Sequence, residues 1–140
     1  MIVNAVGIET DGGVEIVDVS ELPPAEIARL AFHDPALLPE PATMDEERLA
    51  TAAGNQSALE VYASQPCMHD PKLRRRLCRL TRRVPVLGEE DGALPTAYGR
   101  LYADSFPDAR FRTAPKAGYM PHIEQSDLTI DAIKAFMSGR

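Results

Sequence analysis

The 140-residue sequence predicts an α/β domain: a small parallel sheet of about three strands, helices against it, and a helical segment inserted after the first strand. Three observations carry this. Residues 1–8, MIVNAVGI, and residues 84–88, VPVLG, are short apolar runs next to turn residues, the pattern of strands buried on both faces. Helical spacing of apolar residues recurs between and after these runs. The order strand, helices, strand, helix, strand, helix joins parallel strands by helical crossovers and gathers functional side chains at the strands' carboxyl ends.

The elements follow in order within one domain, 1–140, divided as 1–13, 14–71 and 72–140. The first run ends before Asp11-Gly12-Gly13, a turn. Leu22-Pro23-Pro24 opens a helix with Ile27, Leu30 and Ala31 facing inward, closed by His33-Asp34-Pro35. A proline-rich connector, 36–43, leads to a second helix from about Asp45, with Leu49, Ala52, Ala53, Gln56 and Leu59 along one side. Gly54 within it costs roughly 1 kcal/mol relative to alanine, enough to allow a break there. Asp70-Pro71 supplies an N-cap and a first-turn proline for a third helix with Leu73, Leu77 and Leu80 inward. After the strand at 84–88, a helix starts near Pro95. A strand at 110–114 follows, weakened by Arg112 and Thr113 where a buried parallel strand favours Val or Ile. The last helix has Ser126 to cap it, with Ile130, Ile133 and Met137 at helical spacing and Phe136 beside them.

Composition narrows the function. The chain is 44% hydrophobic and 26% charged, an ordinary globular balance that excludes disordered and fibrous classes. No run reaches the ~18 apolar residues of a membrane span. The first residues lack a basic leader region and cleavage site, so a cytoplasmic location is expected. A net charge of −6 favours neither nucleic acid nor an anionic membrane as partner. Seven basic residues, Lys72 to Arg83, fall in twelve positions without an acid. With no interleaved aromatics they read as the solvated face of the third helix. Cys67 and Cys78 make no disulfide framework and are expected as free buried thiols. His33-Asp34 and Cys67-Met68-His69-Asp70 offer metal-ligand types without the paired spacing of a zinc site. Gly12-Gly13 lacks the Lys and Ser/Thr of a phosphate loop. No cofactor is expected.

Two turns carry a family resemblance. Gly88-Glu89-Glu90-Asp91 resembles the G-x-x-D turn that bears the triad acid in α/β hydrolases. Residues 117–125, AGYMPHIEQ, resemble that family's G-H-x-P-H-x-E-Q turn, which bears the triad histidine. The run VNAVGI resembles the strand after the nucleophile helix, and 14–71 resembles the helical cap over the active site. The resemblance spans essentially the whole chain and the C-terminal half of the family's domain, so it implies a partial α/β-hydrolase fold. It makes Asp91 the triad acid; from the residues alone, Asp91 reads as a loop aspartate capping the helix near Pro95. The triad histidine position is Tyr119 in this chain; His122, three residues on, is the candidate substitute base, although the family's second histidine more often shapes the loop before the final helix. A tyrosine with an ordinary pKa of about 10 is no base near neutral pH, so Tyr119 is expected to pack or hydrogen-bond.

The chain departs from the family in two further ways. The strand at 84–88 is about three residues shorter than the family's, a difference of ~10 Å. None of the serines (Ser20, Ser57, Ser64, Ser105, Ser126, Ser138) lies in a G-x-S-x-G elbow, and serine-type hydrolysis requires that nucleophile ahead of the acid and histidine. The expected function is therefore a hydrolase-like chain not catalytic alone, acting as a binding or assembly unit or surviving as a truncated remnant. The alternative is the C-terminal half of a split or truncated serine hydrolase, for ester or C–C bonds, completed by a nucleophile-bearing chain. The run MIVNAVGI carries neither charge nor proline to blunt an open sheet edge, so a homodimer or larger assembly is expected.

Overall fold

A computed structural model of the chain describes every residue except Asp11, Ser20, Glu21, Pro39, 64–67, Arg82, Arg83, 90–92 and Arg140. Three parallel strands, β1 (Ile2–Val3), β2 (Val84–Glu89) and β3 (Ala109–Ala114), form one sheet in the order β1-β2-β3. β2 is central and carries the apolar run. Successive side chains of a strand point to opposite faces, so Val86 and Leu87, 4% and 2% exposed, seed two different cores. Val86 packs with Ile8, Leu77, Leu94 and Tyr98. Leu87 packs with Ala114 and Ala117, joined by Val3 and Leu128. The outer strand β3 tolerates Arg110 and Arg112 because both are exposed, alternating with half-buried Ala109, Phe111 and Thr113.

Helices fill the connections. Between β1 and β2 lie α1 (Pro24–Ala31), α2 (Glu46–Tyr62) and the short α3 (Leu73–Leu77), with two 3-10 turns at Pro35–Leu37 and Pro41–Thr43. Between β2 and β3 runs α4 (Thr96–Ala103), whose Tyr98, Tyr102 and Ala103 enter the larger core. α4 lies close on β3 at Gly99, where a Cβ would come within 2.6 Å of the Phe111 ring. One residue along, the Arg100 guanidinium sits 5.3 Å over that ring. After β3 come α5 (Pro121–Glu124) and α6 (Ser126–Met137), the latter on the Leu87 face of the sheet.

Several expectations change in the folded chain. The run 1–8 gives only two strand residues. Asn4 turns off the ladder with φ +40°, its N–H still reaching Leu87 O at 2.9 Å, and Gly7 sits at φ +126°. The run is apolar because Ile8, 1% exposed, enters the core past the turn. α2 passes through Gly54 unbroken, and its N-cap is Asp45, whose Oδ1 accepts from Arg48 N at 2.8 Å. The side named for α2 is largely exposed: none of its residues is buried, and only Gln56 and Leu59 are half-buried.

α3 stops after five residues. Its N-cap is Lys72, without a side-chain bond, rather than Asp70, and Pro71 lies outside its first turn; Asp70 accepts from Lys72 N through Oδ1 and from Leu73 N through its carbonyl. Leu80 lies beyond the five-residue helix, 49% exposed. Cys78 is exposed rather than buried, because it follows the single buried leucine, Leu77. Cys67 lies outside the described residues. Ser126 begins α6 but caps nothing; the N-cap is Gln125, without a side-chain bond. On α6 the buried residues are Thr129 and Ala132, whereas Ile130, Ile133 and Met137 face out at 46%, 39% and 80% exposure.

Candidate functional site

The carboxyl ends of parallel strands leave a crevice where connecting loops diverge. Here the chain after β1 meets the loop after β3. Asn4 Nδ2 donates to Gly118 O at 3.2 Å and to Tyr119 O at 2.9 Å. Only the NH₂ end of an amide faces two carbonyls favourably, so these bonds fix which way the side chain points. Its Oδ1 is then left inward, in a residue 7% exposed, with no hydrogen-bond partner among the described residues. A buried acceptor left unpaired costs about 1–3 kcal/mol. Asparagine also suits the left-handed φ at this position better than most residues.

The loop after β3 is pinned from several sides. The Glu124 carboxylate bridges two turns, accepting from Gly118 N at 2.7 Å and from Asp34 N at 2.8 Å. Met120 N donates to Ala31 O, at the end of α1, at 3.1 Å. Gly118 lets this approach happen, since a Cβ there would stand 2.9 Å from Ala31 O and 3.0 Å from His33 N. Between α1 and the strand ends lies an apolar cavity of about 190 Å³, whose lining includes Val6, Ile27, Leu30, Met68, Leu94 and Tyr119. A narrow void of about 10 Å³ adjoins Asn4, and Leu94 and Tyr98 line it. Leu94 thus borders both spaces.

Beneath the crevice, the Tyr98 hydroxyl, on a side chain with no exposed surface, holds the turn after β1. It accepts from Gly7 N and Ile8 N and donates to Ile8 O, each at 3.1 Å. Burial pushes its pKa above the ordinary tyrosine value; the two backbone donors oppose that rise, and nearby Tyr119 adds slightly to it. Tyr102, edge-on to Tyr98 with centroids 6.3 Å apart, is raised chiefly by burial as well.

The sequence-nominated residues separate. Asp91 lies outside the described residues. Tyr119 is half-buried and faces the cavity, with its carbonyl held by Asn4. His122 is exposed on α5, next to buried Pro121. Ser57, Ser105 and Ser138 donate their hydroxyls to carbonyls one turn back in the chain. Asn4, Tyr98 and Glu124 organise the site without having been singled out as site residues. The one signal available for Asn4 was a polar amide inside an apolar run, and the Tyr98/Tyr102 pair showed only helical spacing. Among the described residues no group of three or more His, Cys, Asp or Glu side chains gathers as metal ligands. No described helix is long and apolar enough to cross a membrane.

Fold and site together define a small parallel α/β domain with an apolar crevice at its strand ends. No family model, curated protein or solved structure matches the chain.

Proposed function

We propose that this chain is an α/β-hydrolase-like unit that binds a ligand at its strand ends without hydrolysing it. The observation carrying this reading is the setting of Tyr119. It occupies the turn after β3 where the family resemblance places the triad base, and it faces an apolar cavity, while the nearby histidine, His122, is exposed. The partial hydrolase fold, the role of 14–71 as a cap and the role of Asp91 as acid rest on the motif resemblance. The strand–helices–strand–helix–strand order and α1 beside the cavity support them. In this reading α1 and the loop at Tyr119 and Met120 form two of the walls, and the sequence holds no G-x-S-x-G nucleophile.

Chromogenic acyl esters test it on the purified chain. The expected result is no turnover above the buffer rate; turnover abolished by Asp91→Asn or by His122→Ala overturns the reading. A second reading, in which a nucleophile-bearing chain completes the enzyme, draws on β1, which pairs only with β2 among the described residues. Ester hydrolysis that appears only when an elbow-bearing chain is added decides for that second reading.

A further inference from the structure

We infer that the strand-end cavity takes a small, uncharged apolar molecule, a body of roughly six to eight heavy atoms held by its shape and not by a polar anchor. The inference rests on the cavity being the binding site of the preceding section, and it names the class of ligand. The placing of the helices after β1 carries it. Ile27, Leu30 and Ala31, at helical spacing on α1, all line the cavity, and so does Leu59, one of the two half-buried residues of α2. Among the described residues, neither core takes in any residue of α1 or α2. Across the cavity, Val6, Leu94 and Tyr119 belong to the larger core or pack against it. The apolar stripe of α1 therefore faces a space where packed side chains would ordinarily stand.

Size and lining set the ligand. Protein interiors hold few voids larger than a water molecule, and this one, at about 190 Å³, is several times that size. A dry apolar cavity of about 150 Å³ holds benzene, which scales the body that fits here. Water needs two or more polar partners to settle in a cavity, and apart from Tyr119 every described side chain lining this one is apolar. None of them is charged, so an ion would be desolvated without a partner. Two of the lining residues are methionines, Met68 and Met120, whose unbranched side chains adapt to irregular shapes and whose sulfurs contact aromatic rings favourably. Met68 is held at φ +51°. The bridge between Gly7 and His69, with Asp70 N donating to Gly7 O at 3.0 Å, fixes the chain just after it. A left-handed backbone at a residue other than glycine persists only where its surroundings impose it.

Toluene and benzylammonium, the same ring without and with a charge, test this on the full unaltered chain. Calorimetry gives the affinities, and the methionine methyl resonances report where each probe sits. Toluene is expected to bind about tenfold more tightly than benzylammonium, although the net charge of −6 favours the cation. It is expected to shift the Met68 and Met120 methyls. Met44, which lines a separate pocket, and Met137, 80% exposed on α6, are expected to stay in place. Benzylammonium binding as tightly as toluene, with the same two methyls shifted, overturns the uncharged class and leaves the cavity a binding site. If neither probe moves the Met68 and Met120 methyls at millimolar concentration, whatever happens at Met137, the ligand class and the binding reading fall together. Ester turnover alongside the expected toluene binding counts against the absence of catalysis and not against this class.

Discussion

At the scale of single residues, the site depends on side chains whose partners lie far away in sequence. Tyr98 is the sharpest case. Removing its hydroxyl in Tyr98→Phe, on a side chain with no exposed surface, strands Gly7 N, Ile8 N and Ile8 O without their bonds. Unpaired buried groups cost about 1–3 kcal/mol each and relax in part, so a loss of about 2–3 kcal/mol is expected in urea unfolding. The pH dependence follows from the raised pKa. The folded state keeps the phenol neutral where the unfolded chain, titrating near its ordinary value of about 10, has begun to ionise. This contribution is fully present below pH ~10 and is lost as pH rises through the higher folded value. Wild-type urea midpoints are therefore expected to fall between pH 9 and 11 more than those of Tyr98→Phe; equal slopes would count against it. Asn4 and Tyr98 were illegible for the same reason. Each bonds a segment ninety or more residues away along the chain, and no local pattern records such a partner.

At the scale of elements, the sequence was most readable where a segment's ends carry their own signals. Pro23-Pro24 and Asp45 mark the starts of α1 and α2, and apolar runs and turns placed β2 and β3 within a residue or so. The faces were less readable. The spacing of Ile130, Ile133 and Met137 is a real stripe, but periodicity states that a stripe exists and not which stripe meets the sheet; Leu128 packs there instead, and Thr129 and Ala132 are the buried residues of the helix. Two glycines give a paired test of element packing. Gly118→Ala pushes a Cβ against the backbone at Ala31 and His33, which cannot rotate away as a side chain does. A loss of about 1–3 kcal/mol is expected, with the Met120–Ala31 bond losing amide-exchange protection. Gly54→Ala adds its Cβ in open space within α2 and is expected to stabilise by about 0.5–1 kcal/mol. Similar effects from the two substitutions would show that α1 is not seated on the 117–120 loop.

At the scale of the whole molecule, the fold leaves two surfaces that need covering. β1 pairs with β2 on one side only among the described residues, and α6 exposes Ile130, Ile133, Phe136 and Met137. β1 and α6 meet at the Leu87 cluster, through Val3 and Leu128. Their magnitudes differ. A two-residue strand offers one or two amide bonds to a partner, each worth about 1 kcal/mol net. Burying the exposed fractions of four large apolar side chains is worth roughly 3–6 kcal/mol, at about 1.5–3 kcal/mol for each full side chain. The loss of rigid-body freedom on association is of similar size or larger, so the edge alone is too small and the helix face has to supply most of the gain. We propose that a second copy of the chain covers both, in a two-fold arrangement that sets α6 against α6. Light scattering at micromolar concentration is then expected to give about twice the 15.3 kDa chain mass. Met137→Glu and Ile133→Glu should return it to monomer with little change in the monomer's own unfolding, since both side chains are already exposed. Val3→Lys, acting on the edge, should weaken the dimer less. A wild-type monomer at that concentration, or a dimer more sensitive to Val3→Lys than to the α6 substitutions, would sink the arrangement.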